Sequence, residues 1–158
     1  MSRIASVDTV AFRLPLRSAL AWGKESVLDA AEGVLVRVRA DSGATGVAEA
    51  PPRPTIYGET RASIETAVRD LLAPRLIGRP LEDLASARRA MSFLAGNQTA
   101  KGALDMALHD ALARERGSTL PALLGATRRE VEVSYILGLA DLDAAVSEAR
   151  WVVDRGVR

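Results

Sequence analysis

The chain has 158 residues, enough for one ordinary domain or one domain plus part of another. Hydrophobic residues make up 48% and charged residues 26%, which excludes a disordered chain, and with aromatics at 4% the core must rest on Leu, Val, Ile and Ala packed through small side chains. The 21 basic and 20 acidic residues are interspersed for a net charge of +1, which speaks against nucleic acid as a partner, and the absence of cysteine excludes disulfides, thiol catalysis and cysteine-held metal sites.

The N-terminal stretch "MSRIASVDTVAFRLPLRS" carries charges through its middle and lacks the apolar region of a signal peptide. No apolar run approaches the roughly 20 residues a membrane helix needs. The expectation is a cytoplasmic protein with no membrane partner. "VDTVAFRLPL" alternates Asp8, Val10, Phe12 and Leu14 against Val7, Thr9, Ala11 and Arg13. "GVLVRVRA" sets Val34, Val36 and Val38 against Leu35, Arg37 and Arg39. A period of two predicts half-buried strands. Between them, Arg17 to Glu32 has weak periodicity and reads as a loop. "DSGATG", Asp41 to Gly46, predicts a hairpin turn from which "VAEA" returns antiparallel. A phosphate cradle there is disfavoured, since the glycine spacing is incomplete and no helix follows.

"PPRPT", Pro51 to Thr55, ends the sheet, because proline donates nothing to a ladder. Thr60 is placed to cap a helix with apolar positions Ile64, Ala67, Val68, Leu71 and Leu72, stopped by "APRLIG". Pro80 suits the first turn of a second helix, with Glu82 and Asp83 at the favourable end of its dipole. A third helix runs through "AKGALDMALHDALARERG", Ala100 to Gly117, with Asn97 or Thr99 as its cap. A helical turn follows in "TLPALLG". "EVEVSYILG", Glu130 to Gly138, predicts a strand. "DLDAAVSEARWVVDRG" predicts a helix with Ala144, Ala145, Ala149, Val152 and Val153 inward.

The third helix holds His109, the single histidine of the chain, with Lys101 and Asp105 at four-residue spacing and Asp110 adjacent. Residues four apart share a helix face. A two-histidine metal motif is absent, and no serine stands beside the histidine as a nucleophile. Ala100, Ala103, Leu104, Ala107, Leu108, Ala111 and Leu112 cover over half of the helix, extended by Met106 and Ala113, so it is expected to be buried on most sides. Asp105 and Asp110 are then expected to pair or cap, and His109 to pack half-buried. Two loops offer aromatics instead: Trp22 in "ALAWGKES", and Tyr57 beside Ile56 in "PPRPTIYGET". Exposed, they would contact a ligand; otherwise they cover the edge of the small sheet.

The order of elements, with "LPLRSAL" (Leu14 to Leu20), "GVAEAPPRPTIYGET" (Gly46 to Thr60), "AKGALDMALHDALARERGSTLPALLG" (Ala100 to Gly125) and "VEVSYILG" (Val131 to Gly138), resembles the enolase superfamily. More narrowly it resembles the mandelate racemase and muconate-lactonizing enzyme branch. The resemblance implies an α+β fold: a three-stranded antiparallel sheet followed by a helical bundle, then the start of a (β/α) barrel that is truncated. Residues 1–127 would be the N-terminal capping domain, and 128–158 the first strand and helix of an incomplete C-terminal TIM-like barrel. It further implies an isomerase or lyase, muconate cycloisomerase-like or dipeptide epimerase-like, that removes the proton α to a carboxylate through an enolate stabilised by Mg²⁺. Loops 17–32 and 51–60 would close over a small carboxylate substrate, making Trp22, Ile56 and Tyr57 specificity residues. The family's catalytic lysine pair and metal carboxylates map onto no residue here, so no catalytic or metal-binding residue is expected, and Glu59, Asp105 and Asp110 are not assigned as ligands. The chain alone is expected to be inactive, to pair with its own C-terminal barrel, and to belong to a homo-oligomer. The alternative is a stand-alone, non-catalytic α+β binding or assembly module.

Overall fold

The structure, a computed structural model, describes residues 1–21, 27–127, 130–138 and 140–157. Three strands, β1 (Ile4–Ala21), β2 (Val27–Ala40) and β3 (Thr45–Ala50), form an antiparallel sheet in that order. The β2–β3 register places Val34 opposite Ala50, Val36 opposite Ala48 and Val38 opposite Gly46. The alternation read from the sequence is realised: Val34, Val36 and Val38 are fully buried, while Leu35, Arg37 and Arg39 lie on the other face. There the Arg37 guanidinium meets Asp8 at 3.2 Å. The turn at Asp41 to Ala44 is the expected hairpin, with Gly43 at φ 95°. Hydrogen bonds from the Arg3 backbone and the Ser2 hydroxyl stabilise the charged form of Asp41, holding its carboxyl below the usual aspartate value.

Most of the expected loop at 17–32 is strand instead. β1 runs to Ala21 and β2 starts at Val27. Weak periodicity hid this, because ladder hydrogen bonds are made by backbone and do not require an apolar face.

The described residues fall into two compact units, Met1–Arg13 with Glu32–Ala126, and Leu14–Ala31 with Thr127–Arg158. In the first, helices follow the sheet: α1 (Pro54–Tyr57), α2 (Arg61–Thr66), a π-helical stretch over Ala67–Leu72, α3 (Ala73–Leu76), α4 (Leu84–Met91), α5 (Gln98–Glu115) and α6 (Leu120–Leu123). Thr60 caps α2 as expected, in a reciprocal pair with Ser63. Of the predicted apolar stripe Ile64, Ala67, Val68 and Leu72 are buried, and Leu71 is exposed. The helix widens before Pro74, which lacks an N–H and would clash with the Asp70 carbonyl in a regular turn. The Ala73 N–H bonds back to Val68 O. The stop therefore falls at Ile77 and Gly78, later than Pro74.

Pro80 does not start the next helix. It is extended, bridged to Arg3, while Ile4 N–H donates to Arg79 O and Gly78 N–H to Ile4 O. The helix begins four residues later, where the Asp83 carboxylate accepts from Ser86 N–H at 2.9 Å. The start of β1 has claimed the backbone that a Pro80 helix would need.

α5 packs against β3. Its buried residues are Ala100, Ala103, Leu104, Ala107, Leu108, Ala111, Leu112 and Ala113, while Met106 is half exposed, against expectation. The approach is so close that a Cβ on Gly46 would sit 2.0 Å from Ala107 O and 2.2 Å from Ala111 N. Only glycine on the strand facing alanines on the helix permits this. Leu104 and Leu108 reach the same core as Val36, Val38, Leu72 and Leu76. Each such fully buried side chain contributes about 1.5–3 kcal/mol.

In the second unit, residues 130–138 enter no ladder, so the predicted strand is absent among the described residues. A strand exists only by pairing, and apolar alternation cannot supply the partner. α7 (Leu142–Val153) is capped by Asp141, whose carboxylate accepts from Ala144 N–H at 2.9 Å. Val152 is buried and Ala145 and Ala149 are half-buried, but Ala144 and Val153 are exposed. The Tyr135 hydroxyl donates to Glu148 at 2.8 Å, which holds the phenol above its usual pKa. No helix among the described residues is long and apolar enough to cross a membrane.

Candidate functional site

The proline-rich stretch after β3 folds into a small closed loop. Pro54 fits the first turn of α1, where its missing N–H costs nothing. Ile56 and Tyr57 N–H groups donate to Arg53 O at 3.1 and 2.7 Å. Gly58, at φ 74°, ends the turn in the left-handed conformation that glycine adopts without strain, and its N–H reaches Pro54 O. Arg53 and Glu59 then close the loop as an isolated bridge, Arg53 N–H donating to Glu59 O at 3.1 Å. The helix buries none of its side chains: Ile56 is 64% and Tyr57 61% exposed. These two sequence candidates are thus brought side by side, outward, rather than laid over the sheet.

The next residue does the opposite. Glu59 is 6% exposed, the one buried charged side chain among the described residues. Its Oε1 accepts from Thr99 N–H at 2.8 Å and its Oε2 from Ala100 N–H at 3.2 Å. These are first-turn donors of α5. Neither expected local cap serves: Asn97 sits at the start with φ 53°, and its side-chain amide donates to Ala95 O. Sequence inspection missed Glu59 because it lies forty residues away from the helix it caps.

Trp22, the third candidate, lies outside the described residues.

The polar strip of α5 is occupied by structural bonds. Asp105 accepts from Arg88 through both oxygens at 3.1 Å. The ring of His109, half-buried, places Nδ1 2.7 Å from Asp105 O. A carbonyl can only accept, so Nδ1 carries the proton in that bond. Lys101 donates to Leu94 O. Asp110 accepts from Val47 N–H of β3 at 3.0 Å and pairs with Arg114 at 3.2 Å. Pairing, packing and capping thus account for the whole strip. Among the described residues no group of three or more His, Asp or Glu side chains is placed to hold a metal ion, so the carboxylates here do not fit Mg²⁺.

The site thus stands on an α+β unit: a three-stranded antiparallel sheet followed by helices, with a short proline-led loop that presents apolar side chains beside an alanine-rich buried helix. The model of the mandelate racemase / muconate lactonizing enzyme family, N-terminal domain, matches residues 5–125, and the chain belongs to that family. It is 33% identical over 155 residues to the L-Ala-D/L-Glu epimerase of Bacillus subtilis (strain 168), covering 98% of this chain and 42% of that protein. A muconate lactonizing enzyme from Mucobacterium Smegmatis, solved with muconolactone, superposes with a TM-score of 0.92 at 38% identity, covering 97% of this chain and 42% of that one. A dipeptide epimerase from Cytophaga hutchinsonii, solved with Mg and the dipeptide D-Ala-L-Val, matches with a TM-score of 0.85 at 27% identity, over 96% of this chain and 41% of that one. The chain thus spans about two-fifths of the relatives it matches.

Proposed function

We propose that this chain is the N-terminal, substrate-capping part of an isomerase or lyase that abstracts a proton α to a carboxylate, with muconate cycloisomerisation or dipeptide epimerisation as the parent reaction. Residues 1–127 would form the capping domain and 128–158 the first strand and helix of the barrel. Mg²⁺, the metal in the Cytophaga relative, would serve the complete enzyme from ligands outside the described residues. The substrate would be a small carboxylate, the setting cytoplasmic, and the complete enzyme a homo-oligomer.

The observation that carries this reading is the loop: Ile56 and Tyr57 stand exposed on a four-residue helix whose anchor is buried. Burying a large apolar side chain against a ligand gains about 1.5–3 kcal/mol, so two such chains discriminate substrates by shape without touching the reacting atoms. Trp22 is proposed as a third selecting residue. The similarity to isomerases along 98% of the chain weighs against a stand-alone binding module.

Two measurements test the reading. The 158-residue chain with Mg²⁺ in D₂O is expected to exchange no α-proton of L-Ala-L-Glu or muconolactone by NMR; measurable exchange would overturn it. In the complete enzyme, Tyr57→Ala is expected to change the ratio of kcat/KM for muconate and L-Ala-L-Glu by about tenfold, the equivalent of about 1.4 kcal/mol.

A further inference from the structure

We infer that Glu59 is a positioning residue for the substrate-selecting loop: its buried carboxylate ties the Arg53–Glu59 loop to the amino end of α5 and so fixes where Ile56 and Tyr57 stand. The inference rests on the proposal that those two side chains meet the substrate.

Three observations converge. First, α1 has four residues and no buried side chain, too little to hold a conformation by itself. Its internal bonds shape the turn but attach it to nothing. Second, the amino end of α5 lacks a side-chain cap of its own, since Asn97 is left-handed there and spends its amide on Ala95 O. Ala100 is fully buried, so water cannot substitute as acceptor for its N–H. Third, Glu59 answers both needs. Its carboxylate receives Thr99 and Ala100 N–H groups at 2.8 and 3.2 Å, with the positive end of the helix dipole facing its charge. Its backbone carbonyl receives Arg53 N–H and closes the loop. One residue thus shuts the loop and fastens it to the helix at the centre of the unit. With only Gly58 between Tyr57 and this anchor, a shift of the loop would break charge-assisted bonds in a buried site.

A cap that merely stabilised α5 would leave the loop free, and the test separates the two roles. Glu59→Gln keeps the size and one acceptor oxygen but loses the charge and turns an NH₂ toward an N–H. In the 158-residue chain, amide hydrogen exchange is expected to accelerate about tenfold, and together, at Ala100 and at Tyr57 and Gly58, with the β2–β3 ladder unchanged. Faster exchange at Ala100 with Tyr57 and Gly58 unaffected would overturn the inference. Glu59→Asp, which keeps the charge and loses one methylene, gives the same comparison should Glu59→Gln not fold. In the complete enzyme, Glu59→Gln is expected to move the muconate to L-Ala-L-Glu ratio of kcat/KM in the same direction as Tyr57→Ala, with Glu59→Asp partly restoring it. A general loss of folded enzyme lowers both activities and leaves their ratio unchanged. If Tyr57→Ala moves the ratio and Glu59→Gln does not, the positioning role falls and the functional reading stands. If neither Tyr57→Ala nor Ile56→Ala moves it, the functional reading falls, and Glu59 as a selector of substrate falls with it.

Discussion

The outward strip of α5 and the loop at 53–60 hold comparable numbers of chemically interesting side chains, but they use them in opposite ways. On α5 the polar groups are consumed: Asp105 by Arg88, the His109 ring by a backbone carbonyl, Asp110 by β3 and Arg114. In the loop the polar group is buried as an anchor and the apolar ones are left in the open. An isolated acid–histidine constellation invites a catalytic reading. The bond inventory weighs against it, because the two acids and the histidine are each already engaged in holding the fold together. Large side chains exposed at the tip of a fixed loop retain all of theirs.

Three substitutions sharpen this contrast, from the largest expected effect downward. Gly46→Ala drives a methyl into the backbone of α5 at Ala107 and Ala111, and neither neighbour is a flexible side chain that could yield. A loss of about 3 kcal/mol is expected, seen as a fall in the midpoint of urea unfolding. A midpoint within error of the unmodified chain would show that α5 is not the fixed centre from which the loop is held. Asp110→Ala leaves the Val47 N–H of edge strand β3 without its acceptor and releases the exposed Arg114. Because Val47 is partly open to water, the expected cost is about 1 kcal/mol, in thermal or urea melts. No destabilisation would reopen the strip as a site held in reserve. Tyr57→Ala removes a side chain that the fold does not use, so its stability is expected to stay within about 0.5 kcal/mol. A larger drop would mean that Tyr57 packs against the protein and would weaken its assignment to a ligand.

Much of this was legible in the sequence. Alternation in Val34 to Val38, the Thr60 cap, the turn at Gly43 and the alanine face of α5 all follow from periods of two and 3.6 and from the conformational tastes of single residues. These are short-range effects and do not wait for the rest of the chain. The motifs carrying the family likeness were equally visible, including the "TIYGET" loop that presents Ile56 and Tyr57.

What tertiary structure alone decided is where distant groups meet. The carboxylate of Glu59 caps a helix forty residues on, Pro80 is drawn into a bridge by Arg3, and Asp110, besides pairing with Arg114 on its own helix, accepts from the edge of β3. Residues 130–138 have the pattern of a strand and pair with no strand among the described residues. In each case the outcome depends on which hydrogen-bonding group lies opposite once the chain has closed, and no local period records that. The sequence therefore pointed to the loop, while only the packed helix beside it revealed the residue that holds the loop in place.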